Sequence, residues 1–351
     1  LRLSATALGV ALVSAMLTVA ATPARAATGV APSSVTASQD KAKDKAAQPS
    51  DAERKAAQKV KDAKDAAAKL QAASDFVAKY PASSLRPAVV DIVVDQIIAT
   101  EDTGKRISLV EQYMNTFSEV RETDMMYPVL IDSYVAAKRT EDAFNAASTW
   151  LESNPNETGV LAVLALVGTD EAQRGNAKFA QPSRQYGLKA IELIEANKKP
   201  ANMGDAEWEK NKTLWLPQLY QATGLHSMMN NNAPDALTRL EKAAKLNPND
   251  PLTYYLMGTI KNDAYTVAAK QFQAMSAGAE KVAAQNKINT QLDEIIELYA
   301  HSIGLAAGKE QYKALHDQLL QDLSSYYKFR HNNSTDGMQK LIDKYKTPVA
   351  P

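Results

Sequence analysis

The sequence contains no cysteine. That excludes disulfides, thiolate metal sites, thiol nucleophiles and a lipidated N-terminal Cys. It also lacks an excess of either charge: 40 Lys and Arg stand against 40 Asp and Glu, which argues against nucleic acid or an anionic membrane as the main target. Histidine is scarce. His226, His301, His316 and His331 are its four occurrences; none lies in H-E-x-x-H and no two are spaced i, i+4, so a zinc site would have to be assembled from distant parts of the chain. No metal is expected. His316-Asp317 has no nucleophile on a G-x-S-x-G turn to complete a triad, and no glycine-rich phosphate loop occurs. No catalytic residue and no cofactor follow from the sequence. Only 14 glycines and few β-branched runs among abundant alanine favour an all-α chain.

What is present begins with Arg2, an apolar run from Ala5 to Ala21 and Pro23-Ala24-Arg25-Ala26-Ala27. A basic start, an apolar core and an A-x-A site read as a bacterial-type secretory signal over 1–26, cleaved after Ala26. The alternative is an uncleaved single-span anchor, for which the apolar run is short. Residues 27–50 are Ala, Ser, Pro, Lys and Asp with few large apolar side chains, the composition of a flexible tether. The expected product is exported, periplasmic or secreted, without stable membrane insertion after cleavage.

From residue 51 the apolar spacing is helical. Ser50 with Glu53 forms a capping-box pattern opening a helix over Asp51 to Tyr80, anchored by Val60, Leu70, Phe76, Val77 and Tyr80. Val90, Val94 and Ile97 or Ile98 mark a second helix over Pro87 to Thr100, and Ile107, Val110, Tyr113, Met114 and Phe117 a third over Lys105 to Phe117. Asp124 to Asn154 carries Tyr127, Leu130 and Tyr134, then Ala143, Ala147, Trp150 and Pro155. Ala236, Leu240, Ala243 and Pro248 repeat that last spacing.

The stretch Leu216 to Asp263 holds the plainest repeat. Tyr220 and Gly224 are followed 34 residues later by Tyr254 and Gly258, with Met257 between them. This resembles the tetratricopeptide repeat, whose first helix has the form W-x2-L-G-x2-Y and whose second has small residues before a proline. Thr223 replaces the consensus Leu, and Ser227 and Lys261 replace Tyr. Leu161 likewise follows Tyr127 by 34 residues, with Leu164 and Gly168 beyond it. Gly187, Ala190 and Ile191 suggest a further second helix, although the separation of Pro155 from Pro248 is not a multiple of the period. The ending Phe76-x3-Tyr80-Pro81-x-Ser83 is similar to that of tetratricopeptide-like units in exported envelope proteins. The resemblance implies a right-handed solenoid of helical hairpins over 51–263. Beyond Asp263 the pattern is lost, and helices over Ala264 to Ala277, Lys281 to Leu305, Glu310 to Phe329 and Thr335 to Tyr345 are expected as a C-terminal capping bundle over 264–351.

The resemblance further implies a concave face lined by first helices, where a protein or peptide partner lies. Its candidate residues are Gln218, Gln221, Met228, Tyr255, Thr259, Asn262 and Asp263, with Asp132, Val135 and Thr169 further up. The Lys and Asn pattern that lets some relatives clamp a C-terminal carboxylate is missing from these places. Tyr326 to His331 offers a different reading: Tyr327, Arg330 and His331 as an anion or glycan site, in a peptidoglycan-binding accessory or envelope enzyme. Alternatively Tyr326 and Phe329 fill the cap's core while Arg330 and His331 neutralise a helix C-terminus. Met228-Met229 is either an adaptable contact surface or core. A structural spacer with no groove ligand is the third functional class.

Overall fold

The computed structural model describes residues 48–200 and 203–346. The expected signal segment and nearly all of the tether lie outside them. Among the described residues there is no strand, and none of the helices is long and apolar enough to cross a membrane. The described chain falls into two compact units, one of 48–160 with Pro200 and Met203, the other of 161–199 and 204–346.

The first unit comprises α1 (Asp51–Asp62), α2 (Ala66–Lys79), α3 (Arg86–Ile98), α4 (Thr103–Thr116), α5 (Val120–Ala136) and α6 (Thr140–Ser153). The capping box forms: the Glu53 N–H donates to Ser50 Oγ, and Ser50 N–H donates to Glu53 Oε2 at 2.7 Å. The single helix expected from Asp51 to Tyr80 is two. Asp65 turns its carboxylate back to accept the Ala68 N–H at 2.9 Å, capping α2, while Lys69 Nζ donates to the Lys61 carbonyl at the end of α1. An Asp in that position competes with the helix for its own backbone. Val60, Leu70, Phe76, Val90, Val94 and Ile97 are all buried, as their spacing predicts.

Pairing in this unit is also polar. Arg86 forks onto Glu122, with Nε to Oε1 at 2.7 Å and Nη2 to Oε2 at 2.9 Å. Both side chains are largely buried. Arg106 joins Thr100 O and Ser133 Oγ. In the hairpin of α5 and α6, Ala143 and Ala147 are completely buried, and Trp150 Nε1 donates to Asp124 Oδ1 at 3.2 Å.

The second unit begins within α7 (Thr158–Gln173) and continues through α8 (Ala180–Glu195), α9 (Asp205–Met229), α10 (Ala233–Leu246), α11 (Pro251–Ala274), α12 (Ala279–Ala306), α13 (Lys313–Arg330) and α14 (Met338–Asp343). From α8 to α13 each helix packs on the next, and α14 returns to α12. The α9/α10 hairpin closes through the small residues that its spacing marks. A Cβ on Gly224 would stand 3.2 Å from Leu240 Cγ and 3.5 Å from the Ala236 carbonyl, and Ala236, Leu240 and Ala243 are essentially sealed from solvent. Small residues bring the two backbones together and Leu240 fills what remains, a contact whose truncation to Ala costs about 2–5 kcal/mol.

Three of the turns share one geometry. Lys138, Gly175 and Asn231 hold positive φ after α5, α7 and α9, and in each case the next N–H reaches back across the helix end: Arg139 to Tyr134 O, Asn176 to Glu171 O, Asn232 to Ser227 O. A single left-handed residue thus closes the first helix and starts the second. The second helices α6 and α10 end instead at Asn154-Pro155-Asn156 and Asn247-Pro248-Asn249, where proline supplies no N–H.

The helix expected over Ala264 to Ala277 is the C-terminal part of α11, which runs unbroken from Pro251 to Ala274. Its far end joins α12, α13 and α14 in a separate core that includes Tyr265, Leu292, Ile295, Tyr299, Leu319, Leu323 and Tyr326.

Candidate functional site

The first helices of the second unit line a partly open cavity of about 150 Å³ with mixed polar and apolar walls. α7 contributes Leu166, Thr169, Asp170 and Gln173; α9 contributes Gln218, Gln221 and Leu225; the start of α11 contributes Asp250, Leu252 and Thr253, and Tyr312 closes one side. The space exceeds that of a single water, and its walls carry enough polar atoms to hold a polar group.

One wall is a closed network. Asp250 caps α11, its carboxylate accepting the N–H groups of Leu252 and Thr253 at 3.2 Å. It also accepts the Thr253 hydroxyl at 2.6 Å and Gln221 Nε2 at 2.5 Å, while Gln221 donates in addition to Thr253 Oγ1 at 2.9 Å. A carboxylate at a helix N-terminus is favoured by the backbone dipoles, so the cap holds Gln221 in place.

α7 brings Asp170 and Gln173 to the same space. Asp170 Oδ1 and Gln173 Oε1 are buried with no hydrogen-bond partner, although Asp170 Oδ2 pairs with Arg174 at 2.7 Å. Burial holds the Asp170 carboxyl above its ordinary pKa, with Arg174 opposing. Two orphaned acceptors one helical turn apart share a face of α7, and buried polar groups without partners are rare.

Behind Thr169 lies His226, on α9. Its Nε2 is 2.9 Å from Thr169 Oγ1 and 3.0 Å from Ser183 Oγ. Both hydroxyls also bond main-chain carbonyls, Thr169 to Ala165 O and Ser183 to Phe179 O, each at 2.6 Å. Each hydroxyl proton is thereby committed, so Nε2 is the donor to both. Burial and the nearby Arg184 push its pKa down to about 4. Sequence reasoning missed this residue as the tie between α7, α8 and α9; the only signal was a histidine beside Gly224 and Ser227 in an otherwise apolar face.

The groove candidates separate. Gln218, Gln221 and Thr169 line the cavity together. Met228 packs beside the buried cluster of Leu225, Leu240 and Leu256, whereas Met229 is 45% exposed. Tyr255 is half-buried between that cluster and the C-terminal core. Thr259 donates its hydroxyl to Tyr255 O, and Asn262 Oδ1 accepts the Tyr326 hydroxyl at 2.6 Å. Asp263 is exposed, with its pKa raised by partial desolvation. Asp132 and Val135 belong to the first unit, where burial lifts Asp132 to about 6 against the pull of Arg106.

At the other end, Arg330 is forked onto Asp293, Nε to Oδ1 at 2.8 Å and Nη2 to Oδ2 at 3.1 Å. Tyr327 donates to the Asp336 carbonyl and stacks on His331 with ring centres 4.1 Å apart. Tyr326 is buried as a cap-core residue, but Phe329 is 58% exposed and fills no core. Tyr327 and His331 border an open depression of about 530 Å³ with Lys340 and Lys344; Lys344 is tied to Glu297. Among the described residues no three His, Asp or Glu side chains converge to hold a metal.

No family model and no curated protein matches the sequence. Among solved structures, a tetratricopeptide repeat protein from Parabacteroides merdae is similar over 77% of this chain and all of its own length, at 14% identity and a TM-score of 0.37.

Proposed function

We propose that this protein is a non-catalytic interaction scaffold of the bacterial cell envelope, which grips a segment of a partner protein in the groove of its first helices. The observation that carries the reading is the cavity shared by α7, α9 and α11, where Gln218 and Gln221 of α9 line one space with Thr169 and Asp170 of α7. Such a surface orients a bound main chain or side chain by hydrogen bonds, while Leu166, Leu225 and Leu252 add apolar contact. Export rests on the N-terminal pattern Arg2 to Ala26.

The test is affinity capture from envelope extract with residues 27–351, wild type beside Gln218→Arg, which places a long side chain in the groove without removing a core contact. A protein retained by the wild type and lost with the substitution supports groove binding. Identical captures, or none, go against it. Tyr255→Ala is a poorer probe, because Tyr255 packs against two cores and its loss perturbs folding.

A further inference from the structure

We infer that the segment 338–346 is exchanged between two copies of this chain, each α14 docking on the α12 of the other. The docking surface on α12 matches this segment in charge, ring and gap. Glu297, His301 and Gly304 follow one another at spacings of four and three residues, so they share a face of the helix. Glu297 accepts Lys344 Nζ at 2.6 Å and also the Tyr345 hydroxyl. His301 lies between two rings, Tyr345 at 3.9 Å and Tyr254 at 3.6 Å. Gly304 leaves a gap that any side chain would fill, since a Cβ there would stand 2.6 Å from the Ile342 carbonyl oxygen and 2.8 Å from Tyr345 Cβ. Ile342 itself is buried in the C-terminal core. None of these residues lines the cavity of α7, α9 and α11, so the inference stands apart from the groove reading.

Two features separate the segment from its own α12. α14 has six residues, too few to hold a helix without the surface it rests on, so segment and surface fold as a pair whichever copy supplies them. The connection from α13 is strained. Asn332 and Asn333 stand at φ 50° and 65°, among the described residues the only adjacent pair of non-glycine residues in the left-handed region, a conformation that is costly for a residue with a Cβ. Drawn out, residues 331–337 span about 23 Å and both asparagines are freed. The Asn333 N–H then leaves Lys328 O and the Ser334 N–H leaves His331 O, and water takes their places. Every contact of the docked segment is recovered in the exchanged pair, and the strain is relieved at two hinges. A linker this short holds its own segment at an effective concentration on the order of 1 mM, so relief at both hinges brings the dimer to a chain concentration of about 100 µM.

The experiment is sedimentation velocity of the full chain, wild type beside Glu297→Lys and Lys344→Glu, each variant checked for unchanged helicity. Both positions are substantially exposed, so neither change removes a core contact. Alone, each variant sets like charges against each other, in its own contact and in its own exchanged dimer. Mixed in equal amounts, the two form a heterodimer in which the unchanged Glu297 of one copy meets the unchanged Lys344 of the other and the two introduced charges meet each other. The expected result is a wild-type dimer near 100 µM and a mixed dimer at a concentration about tenfold lower, where each variant alone is monomeric. Adding Gly304→Ala to both members closes the gap on α12 and abolishes the mixed dimer. A wild type still monomeric at about 1 mM, or a mixture no more dimeric than its separate members, overturns the exchange. A dimer that survives Gly304→Ala forms through another surface and overturns it too.

Discussion

Gly224 and Gly258 occupy the same repeat position 34 residues apart, yet they meet different neighbours. Gly224 faces Leu240 and the Ala236 carbonyl of α10, the second helix of its own hairpin. Gly258 faces the ring of Tyr299 on α12. In the α9/α10 hairpin two backbones close on each other through small residues; in the α11/α12 pair a large aromatic ring, itself buried and in contact with Tyr326, occupies the space that the glycine leaves. The repeat position is kept while its partner changes. α11 therefore begins as a repeat helix and ends as part of the C-terminal core.

The sharpest way to break this comparison is Gly258→Ala. A Cβ there would lie 2.7 Å from Tyr299 Cδ1 and closer still to Cε1, so the ring must move within a packed core. The expected loss is about 2–3 kcal/mol, the overpacking cost exceeding the helix-propensity gain of Ala. Urea unfolding measures it. Adding Tyr299→Leu should recover part of the loss, so that the two changes are non-additive in a double-mutant cycle; strict additivity would show that the ring is not the obstacle.

Much of this difference was hidden in the sequence for a physical reason. The 34-residue spacing of Tyr220, Gly224, Tyr254 and Gly258 made the hairpin class legible, and Ala236, Leu240 and Ala243 are buried as the repeat pattern requires. The pattern marks where a helix needs a small residue, but it does not name what fills the space, since Tyr299 lies 41 residues beyond Gly258. The break at Asp65 was obscured because the alanine-rich run around it has high helix propensity throughout. At the candidate site Gln218, Gln221 and Thr169 were read from repeat phase; Asp170 and Gln173 were not, because an unpartnered acceptor is a property of three-dimensional surroundings. Arg86 and Glu122 escaped similarly, being distant in sequence and each unremarkable alone.

Acid distinguishes the two regions less strongly. His226 ties α7 and α8 to α9, and His301 is stacked between Tyr254 and Tyr345 in the C-terminal part. Both are pushed down to about 4, first by burial. The unfolded chain takes up protons near pH 6.5 that the native imidazoles refuse until about pH 4. Stability from these groups is therefore present above pH 6.5 and lost as pH falls through that window. Half-buried carboxyls such as Asp132 and Asp170, whose pKa values are raised, act with the opposite sign. The informative quantity is thus the difference between wild type and His226→Gln. That variant is less stable at pH 7, and its deficit should shrink by about 2 kcal/mol between pH 7 and pH 4. A deficit independent of pH would mean that His226 is not held neutral.

Gly224→Ala is the milder counterpart of Gly258→Ala. Its Cβ would meet Leu240 at 3.2 and 3.3 Å, distances that a small shift of one leucine side chain relieves. The gain in helix propensity offsets that cost, and the net change should stay within about 1 kcal/mol. A loss as large as that at Gly258 would mean that the hairpin is as tightly filled as the α11/α12 contact.

The smallest effect concerns how the two pairs turn. α9 closes on α10 through Asn231 at φ 55°, with the Asn232 N–H reaching Ser227 O at 2.8 Å. α11 ends at Met275 in an extended conformation. Asn tolerates the left-handed region better than other residues with a Cβ, and glycine better still. Asn231→Gly should leave stability within a few tenths of a kcal/mol, while Asn231→Ala should cost about 1 kcal/mol. Met275→Gly gains nothing from left-handed freedom, because its backbone does not use it. Thermal unfolding of the three variants therefore tests whether the repeat hairpin is distinguished by its turn as well as by its small-residue seam.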